Sequence, residues 1–298
     1  MSLLTTRWVA DTLTALMGRG PGPRIPAELA FAEIPASTVE MTVPTRHGDL
    51  DATVYRPAGG SQGAPVYLNF HGGGFVVRHR EQDDPLCRFI AAEAGAVVVN
   101  VDYDTAPRHR FPVAVEEGFD AAVWAADPAR EWDGSRLVVG GQSAGGAIAA
   151  ACARQALEAG GPVIALQVLH FPPLDLVTPG DQKHAAGPSI ITVPMTRLFD
   201  TAYAPDAGSK RHRLASPAWG ANADGIEGIA PALVISCALD RLHDEDVRYA
   251  DRLRDGGALV EHIDLPGADH GYTVRGGTRE LVSDVYARIA RHVVEAVA

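Results

Sequence analysis

Six short runs of β-branched and apolar residues, "APVYLNF", "AVVVNVDY", "RLVVGG", "VIALQVLHF", "PALVISCAL" and "LVEHIDLP", alternate along the chain with longer segments patterned as helices. No other feature constrains the fold as strongly. Strands joined through helices return to the same end of a sheet, so the alternation predicts a parallel sheet covered by helices. The helical segments carry their own start signals: "DDPLCRFIAAEAG" has an Asp cap and a proline in its first turn, and "PVAVEEGFDAAVWAA" starts after a proline. "TRELVSDVYARIARHVVEAV" places its apolar residues at 3.6 spacing. Ahead of this pattern, "MTVPTRHGDLDATVYRP" reads as an antiparallel hairpin turning at His47-Gly48-Asp49.

Two segments break the rhythm. Residues 1 to about 40 read as an amphipathic helix followed by a proline-rich connection, and 177 to 215 mixes Pro, Gly and both charges. Interruptions of that length at strand ends usually form lids or binding loops. With 298 residues, 46% of them hydrophobic, the chain can bury a large core, which predicts one main domain and a small accessory one. A formal charge of −11 disfavours nucleic acid or an anionic membrane surface as partner. The cysteines Cys87, Cys152 and Cys237 lie far apart in apolar patterns without a CxxC, and are expected to be reduced, buried thiols. Arg7 and Asp11 interrupt the apolar N-terminus, so it matches neither a signal peptide nor a membrane span, and the cytoplasm is the expected location.

In "LVVGGQSAGGAIAAACARQ" two glycines precede Ser143 and two follow shortly after it. Gly141-Gln142-Ser143-Ala144-Gly145 fits G-x-S-x-G, a turn from strand to helix that lifts a serine hydroxyl above a sheet. A phosphate loop is the rival use of such glycines, but the segment lacks the required Lys-Ser/Thr pair. A second cluster, "NFHGGGFV", follows a strand upstream, and its glycines allow backbone N–H groups to face a developing oxyanion. A serine nucleophile needs a base and an orienting acid, expected here in the chain order Ser, Asp, His. Asp240 follows one strand and His270 follows the last. Among 11 histidines, His262 falls inside a strand, His243 stands too close to Asp240 and His292 lies inside the final helix. Asp244 and Asp246 read as the cap and first turn of the next helix.

Together with "DYDTAPRHRFPVAVEE", "PALVISCALDRLHDE" and "ADHGY", these motifs resemble the bacterial hormone-sensitive-lipase-type carboxylesterases, over roughly residues 40 to 298. The resemblance implies an α/β-hydrolase fold with a mostly parallel central sheet, a catalytic domain over 41–298, and a small helical cap from residues 1–40 plus an insertion at about 180–215. It implies a triad of Ser143, Asp240 and His270. Oxyanion donors would be the backbone N–H groups of Gly73, Gly74 and Ala144, supported by His71 and Gly72. The expected reaction is hydrolysis of small-molecule carboxylic esters, with short to medium acyl chains, through an acyl-enzyme and without metal or organic cofactor. Amide, lactone or carbamate hydrolysis by the same machinery is the alternative. A ligand-binding receptor is a further alternative, because relatives that lost the triad histidine act as hormone receptors, but this chain keeps a histidine at position 270. Stable membrane insertion is not expected, and a homodimer is. Leu13, Leu16, Met17, Leu198 and Phe199 are candidates to face the pocket or pack the cap, with Leu198 and Phe199 the candidates to bind substrate.

The chain departs from the family at several positions. Gln142 stands where the family has Asp, Tyr103-Asp104-Thr105-Ala106-Pro107-Arg108 replaces YRLAPE, and Arg241 and His243 replace a Pro and an Arg. Either Gln142 and Asp104 are a coordinated exchange of charge, or Gln142 only bonds a nearby loop while Asp104 and Arg108 form a solvated pair.

Overall fold

In the computed structural model, which describes residues 3–20 and 22–298, the apolar runs become a single eight-stranded sheet. Its strands are β1 (Ser37–Thr45), β2 (Gly48–Arg56), β3 (Pro65–Phe70), β4 (Val97–Val101), β5 (Asp133–Gln142), β6 (Ile164–His170), β7 (Ala232–Cys237) and β8 (Leu259–Leu265). The spatial order is β1-β2-β4-β3-β5-β6-β7-β8. From β4 to β8 every pairing is parallel, and β2 runs antiparallel to both β1 and β4. The leading hairpin turns one residue earlier than expected, at Arg46-His47, because Thr45 pairs with Gly48 and the glycine opens β2. β3, β4 and β7 are buried along their whole length, as helix-covered parallel strands must be.

The helices are α1 (Arg7–Met17), α2 (Asp84–Glu93), α3 (Val113–Ala125), α4 (Ala144–Ala159), α5 (Val193–Tyr203), α6 (Ala207–Arg211), α7 (His243–Asp255) and α8 (Arg279–Ala296). They divide the core in two. On one face α3, α4 and α7 bury Ala121, Ile148 and Leu253 among others, and on the other α2 and α8 bury Ile90, Val285 and Ile289. All three cysteines are buried and free. Among the described residues no helix is long and apolar enough to cross a membrane.

Both irregular segments meet above the C-terminal ends of the strands, where α1 packs against α5, and α5 and α6 lie in the 171–231 crossover from β6 to β7. Residues 1–40, expected to act as one piece of the cap, divide instead. Leu29 and Phe31 are buried in the α2/α8 layer of the core, where Phe31 packs edge-on against Phe89 at 5.5 Å between ring centres.

Candidate active site

β5 ends at Gln142 and α4 begins at Ala144, so the chain turns on Ser143 alone, which is held at φ 53°, ψ −122°. A non-glycine residue in that region is strained and persists only where its surroundings enforce it. The glycines around it are steric necessities. A Cβ on Gly141 would stand 2.3 Å from the Phe70 carbonyl oxygen, and one on Gly145 only 1.8 Å from the same atom. The end of β5 and the first turn of α4 can therefore lie against the end of β3 only without side chains, and this close approach sets the tight turn that carries the Ser143 hydroxyl.

Two loops bring partners to that hydroxyl. His270 Nε2 lies 2.8 Å from Ser143 Oγ, and His270 Nδ1 lies 2.6 Å from Asp240 Oδ2. The other Asp240 oxygen accepts from the Leu242 N–H at 3.1 Å, so both oxygens are held. Asp240 is buried and His270 nearly so. The three expected residues thus form one hydrogen-bonded line. The rival histidines lie elsewhere: His262 bonds Ser236 from within β8, His292 bonds Glu261 from α8, and His243 faces Asp264. His170, at the end of β6, donates to or accepts from the Tyr272 hydroxyl, and burial, with the charge of nearby His270, pushes its pKa down to about 3. It stays neutral beneath the site.

The glycine run after β3 wraps over the serine. Gly73 and Gly74 have φ of 127° and 60°, and a Cβ on Gly74 would enter the Phe199 ring at 2.3 Å. Ala144, first residue of α4, has an N–H with no intrahelical acceptor. His71 is fully buried, stacked on Tyr103 at 4.3 Å, while the Tyr103 hydroxyl donates to the His71 carbonyl and the Gln82 amide to that of Gly72.

Ser143 and His270 open into a cavity of about 670 Å³, bordered by Met17, Ile190, Ile191, Met195, Phe199 and Leu242 among others. Of the residues expected to face it, Phe199 and Met17 do. Leu198 does not: one helical position from Phe199, it is turned into the packing of α5 and is 8% exposed. Leu13 and Leu16 do not line the cavity either, and are 39% and 58% exposed on the outer side of α1.

The site also draws on polar residues whose partners lie far along the chain. Asp269 accepts from Ser189 and from the Ile190 N–H, and Arg241 donates to the carbonyls of Ile191 and Lys183, so both loops of the site grip the 180–191 segment. Lys183 reaches Glu245 at 2.5 Å. Asp83, the expected helix cap, makes no cap bond; its carboxylate turns inward and accepts from Asn69 and Gln142, each at 3.0 Å. Asp246 sits in the first turn of α7 as expected, yet it is buried and neither carboxyl oxygen has a hydrogen-bond partner among the described residues. Asp104 pairs with Arg78 and His109 instead of Arg108, and Gln142 faces Asp83 instead of Asp104.

Comparison with known proteins agrees with this architecture. A family described as alpha/beta hydrolase fold matches residues 67–274. The chain is 34% identical to Esterase LipI of Mycobacterium tuberculosis over 245 residues, 80% of this chain and 76% of that protein. It is 32% identical to Carboxylic ester hydrolase LipN of the same organism over 288 residues, covering 91% and 73% of the two chains. Among solved structures, an esterase from Pyrobaculum calidifontis superposes with a TM-score of 0.81 at 32% identity, covering 100% of this chain and 94% of the other.

Proposed function

The chain belongs to the hormone-sensitive-lipase-type carboxylesterases of the α/β-hydrolase fold, and on that premise we propose that it hydrolyses carboxylic esters of short to medium acyl chain through Ser143, His270 and Asp240. The observation that carries this proposal is the unbroken line from Ser143 Oγ through both ring nitrogens of His270 to Asp240 Oδ2. His270 Nε2 takes the hydroxyl proton as Oγ attacks the ester carbonyl carbon, and Asp240 stabilises the imidazolium that forms. The carbonyl oxygen becomes an oxyanion held by the N–H groups of Gly73, Gly74 and Ala144, with α4 directing the positive end of its dipole at the same point. Collapse breaks the bond to the alkoxy oxygen, which leaves as the alcohol with the proton from His270. Water, deprotonated by His270, then attacks the acyl-Ser143 carbonyl, and the second collapse releases the acid and returns the proton to Oγ.

Acyl length is set by the roof. α1 and the 171–231 crossover act as the cap over the cavity, with Phe199 and Met17 bounding the space beside Ser143. Ser143→Ala removes one oxygen at a solvent-facing turn, so kcat should fall by about 10⁴-fold or more without loss of fold. Labelling by a fluorophosphonate should vanish with it. Turnover within a few-fold of wild type would refute the assignment.

A further inference from the structure

Gln142 occupies a buried position between the two loops that carry the reacting groups. Its Nε2 donates to Asp83 Oδ1 at 3.0 Å, and its Oε1 accepts from the Thr273 hydroxyl at 2.6 Å. Gln142 immediately precedes Ser143, and Thr273 follows His270 by three residues. Asp83 uses its second oxygen to accept from Asn69, which in turn bonds Asn100 at 2.9 Å. Asn69, Asp83, Asn100, Gln142 and Thr273 are all between 0% and 4% exposed. We propose that Gln142 is a positioning residue that locks the His270 loop to the Ser143 turn, and that its amide is required because it must donate to Asp83 and accept from Thr273 at once.

The chemistry leaves little freedom. Asp83 as a carboxylate can only accept and the Thr273 hydroxyl has a proton to give, so the amide nitrogen of Gln142 faces the acid and its oxygen faces the threonine. A carboxyl group of the same length at position 142 would confront Asp83 in a buried site, where two negative charges cannot both form. The pair would then hold one proton between them, and the bridge would survive only while that proton stayed bound. The ionisable groups facing Asp83 are His71 after β3, Tyr67 on β3, Tyr103 after β4, Cys87 on α2 and Tyr286 on α8. Burial holds the phenols and the thiol well above their ordinary ranges, so they do not titrate near neutrality. His71 is common to wild type and variant, and cancels when their profiles are compared.

The inference rests on Ser143 and His270 being nucleophile and base. Gln142→Glu on the intact enzyme should lower kcat for a small neutral ester by about tenfold to a hundredfold at alkaline pH, with KM little changed. The loss should ease as pH falls, adding to the kcat profile an ionisation absent from wild type. Adding Asp83→Asn should restore the profile: the new amide at position 83 can donate to the carboxylate introduced at 142 and still accept from Asn69, while Thr273 donates to that carboxylate as it does to the native amide. A Gln142→Glu profile superimposable on wild type, or a double variant no better than the single, would overturn the inference. Thr273→Val supplies a second route if Gln142→Glu does not fold: the rate of fluorophosphonate labelling of Ser143 should drop severalfold, and an unchanged rate overturns the lock. Ser143→Ala separates the two failures, because an inactive Ser143→Ala beside an unaffected Gln142→Glu sinks the positioning role alone.

Discussion

Asp83 shows how a single side chain can change its role once its surroundings are known. Burial pushes its carboxyl up to about 6 from an ordinary value of 3.8. Between those pH values the folded protein binds a proton that the unfolded chain has released, so this group contributes a loss of stability as pH rises from about 4 to about 6. Asp83→Asn removes that slope. Relative to wild type, the variant should gain roughly 2 to 3 kcal/mol across the interval, read from urea midpoints at successive pH values. A constant offset would mean that Asp83 is ionised throughout. His170 has the opposite sign. Held neutral down to about 3, it contributes stability that is full above the unfolded value near 6.5 and lost as pH falls through its folded value.

At the level of elements, the 180–191 segment has no regular structure and hangs on a few side-chain bonds from the site loops beneath it. Arg241 donates to three of its backbone carbonyls, those of Gly180, Lys183 and Ile191. Arg241→Ala leaves those carbonyls to water and should raise amide exchange across 180–191 by about 1 to 3 kcal/mol of lost protection, without altering exchange in β3 or β5. KM for longer acyl chains should rise while Ser143 labelling persists. The N-terminal segment makes two separable contributions. Deleting residues 1–18 removes α1, whose Asp11 bonds Arg110 and which packs on α5, and should shift chain-length preference while the sheet still folds. Phe31→Ala should act on the core instead, costing about 3 to 5 kcal/mol by leaving a cavity beside Phe89 and Tyr286.

Across the whole molecule, burial raises several acids together: Glu117 and Glu245 are each pushed up to about 7, and Asp246 is raised as well. All cost stability as pH climbs from their ordinary carboxylate values toward neutrality, while the depressed histidines His170, His212 and His262 act in the other direction only below about 6.5. Above that value the acids act unopposed. The unfolding free energy should therefore be larger at pH 6 than at pH 8, and a thermal midpoint that rises over this interval would contradict the balance. Two of these acids hold loops: Glu117 accepts from the Asp104 N–H after β4, and Glu245 accepts from the Leu174 and Asp175 N–H groups after β6.

The alternation of strands and helices, the glycine-bounded turn at Ser143 and the order Ser143, Asp240, His270 could all be read along the chain, because periodicity and backbone sterics act between near neighbours. The glycine run after β3 was legible for the same reason: consecutive glycines after a strand have few other uses. What lay beyond the sequence depended on partners distant along the chain. Asp83 beside Pro85 satisfies every local rule for a helix cap, and only the buried amides of Asn69 and Gln142 around it show that their hydrogen bonds hold the carboxyl group inward against the cost of desolvation. Asp104 could not be assigned to Arg78, or Arg241 to the carbonyls of the crossover, until loops separated by dozens of residues came together. Leu198 and Phe199 differ by one position, and so by about 100° around α5; which of them meets the cavity follows from how α5 seats on α1, a rotation that hydrophobicity alone leaves free.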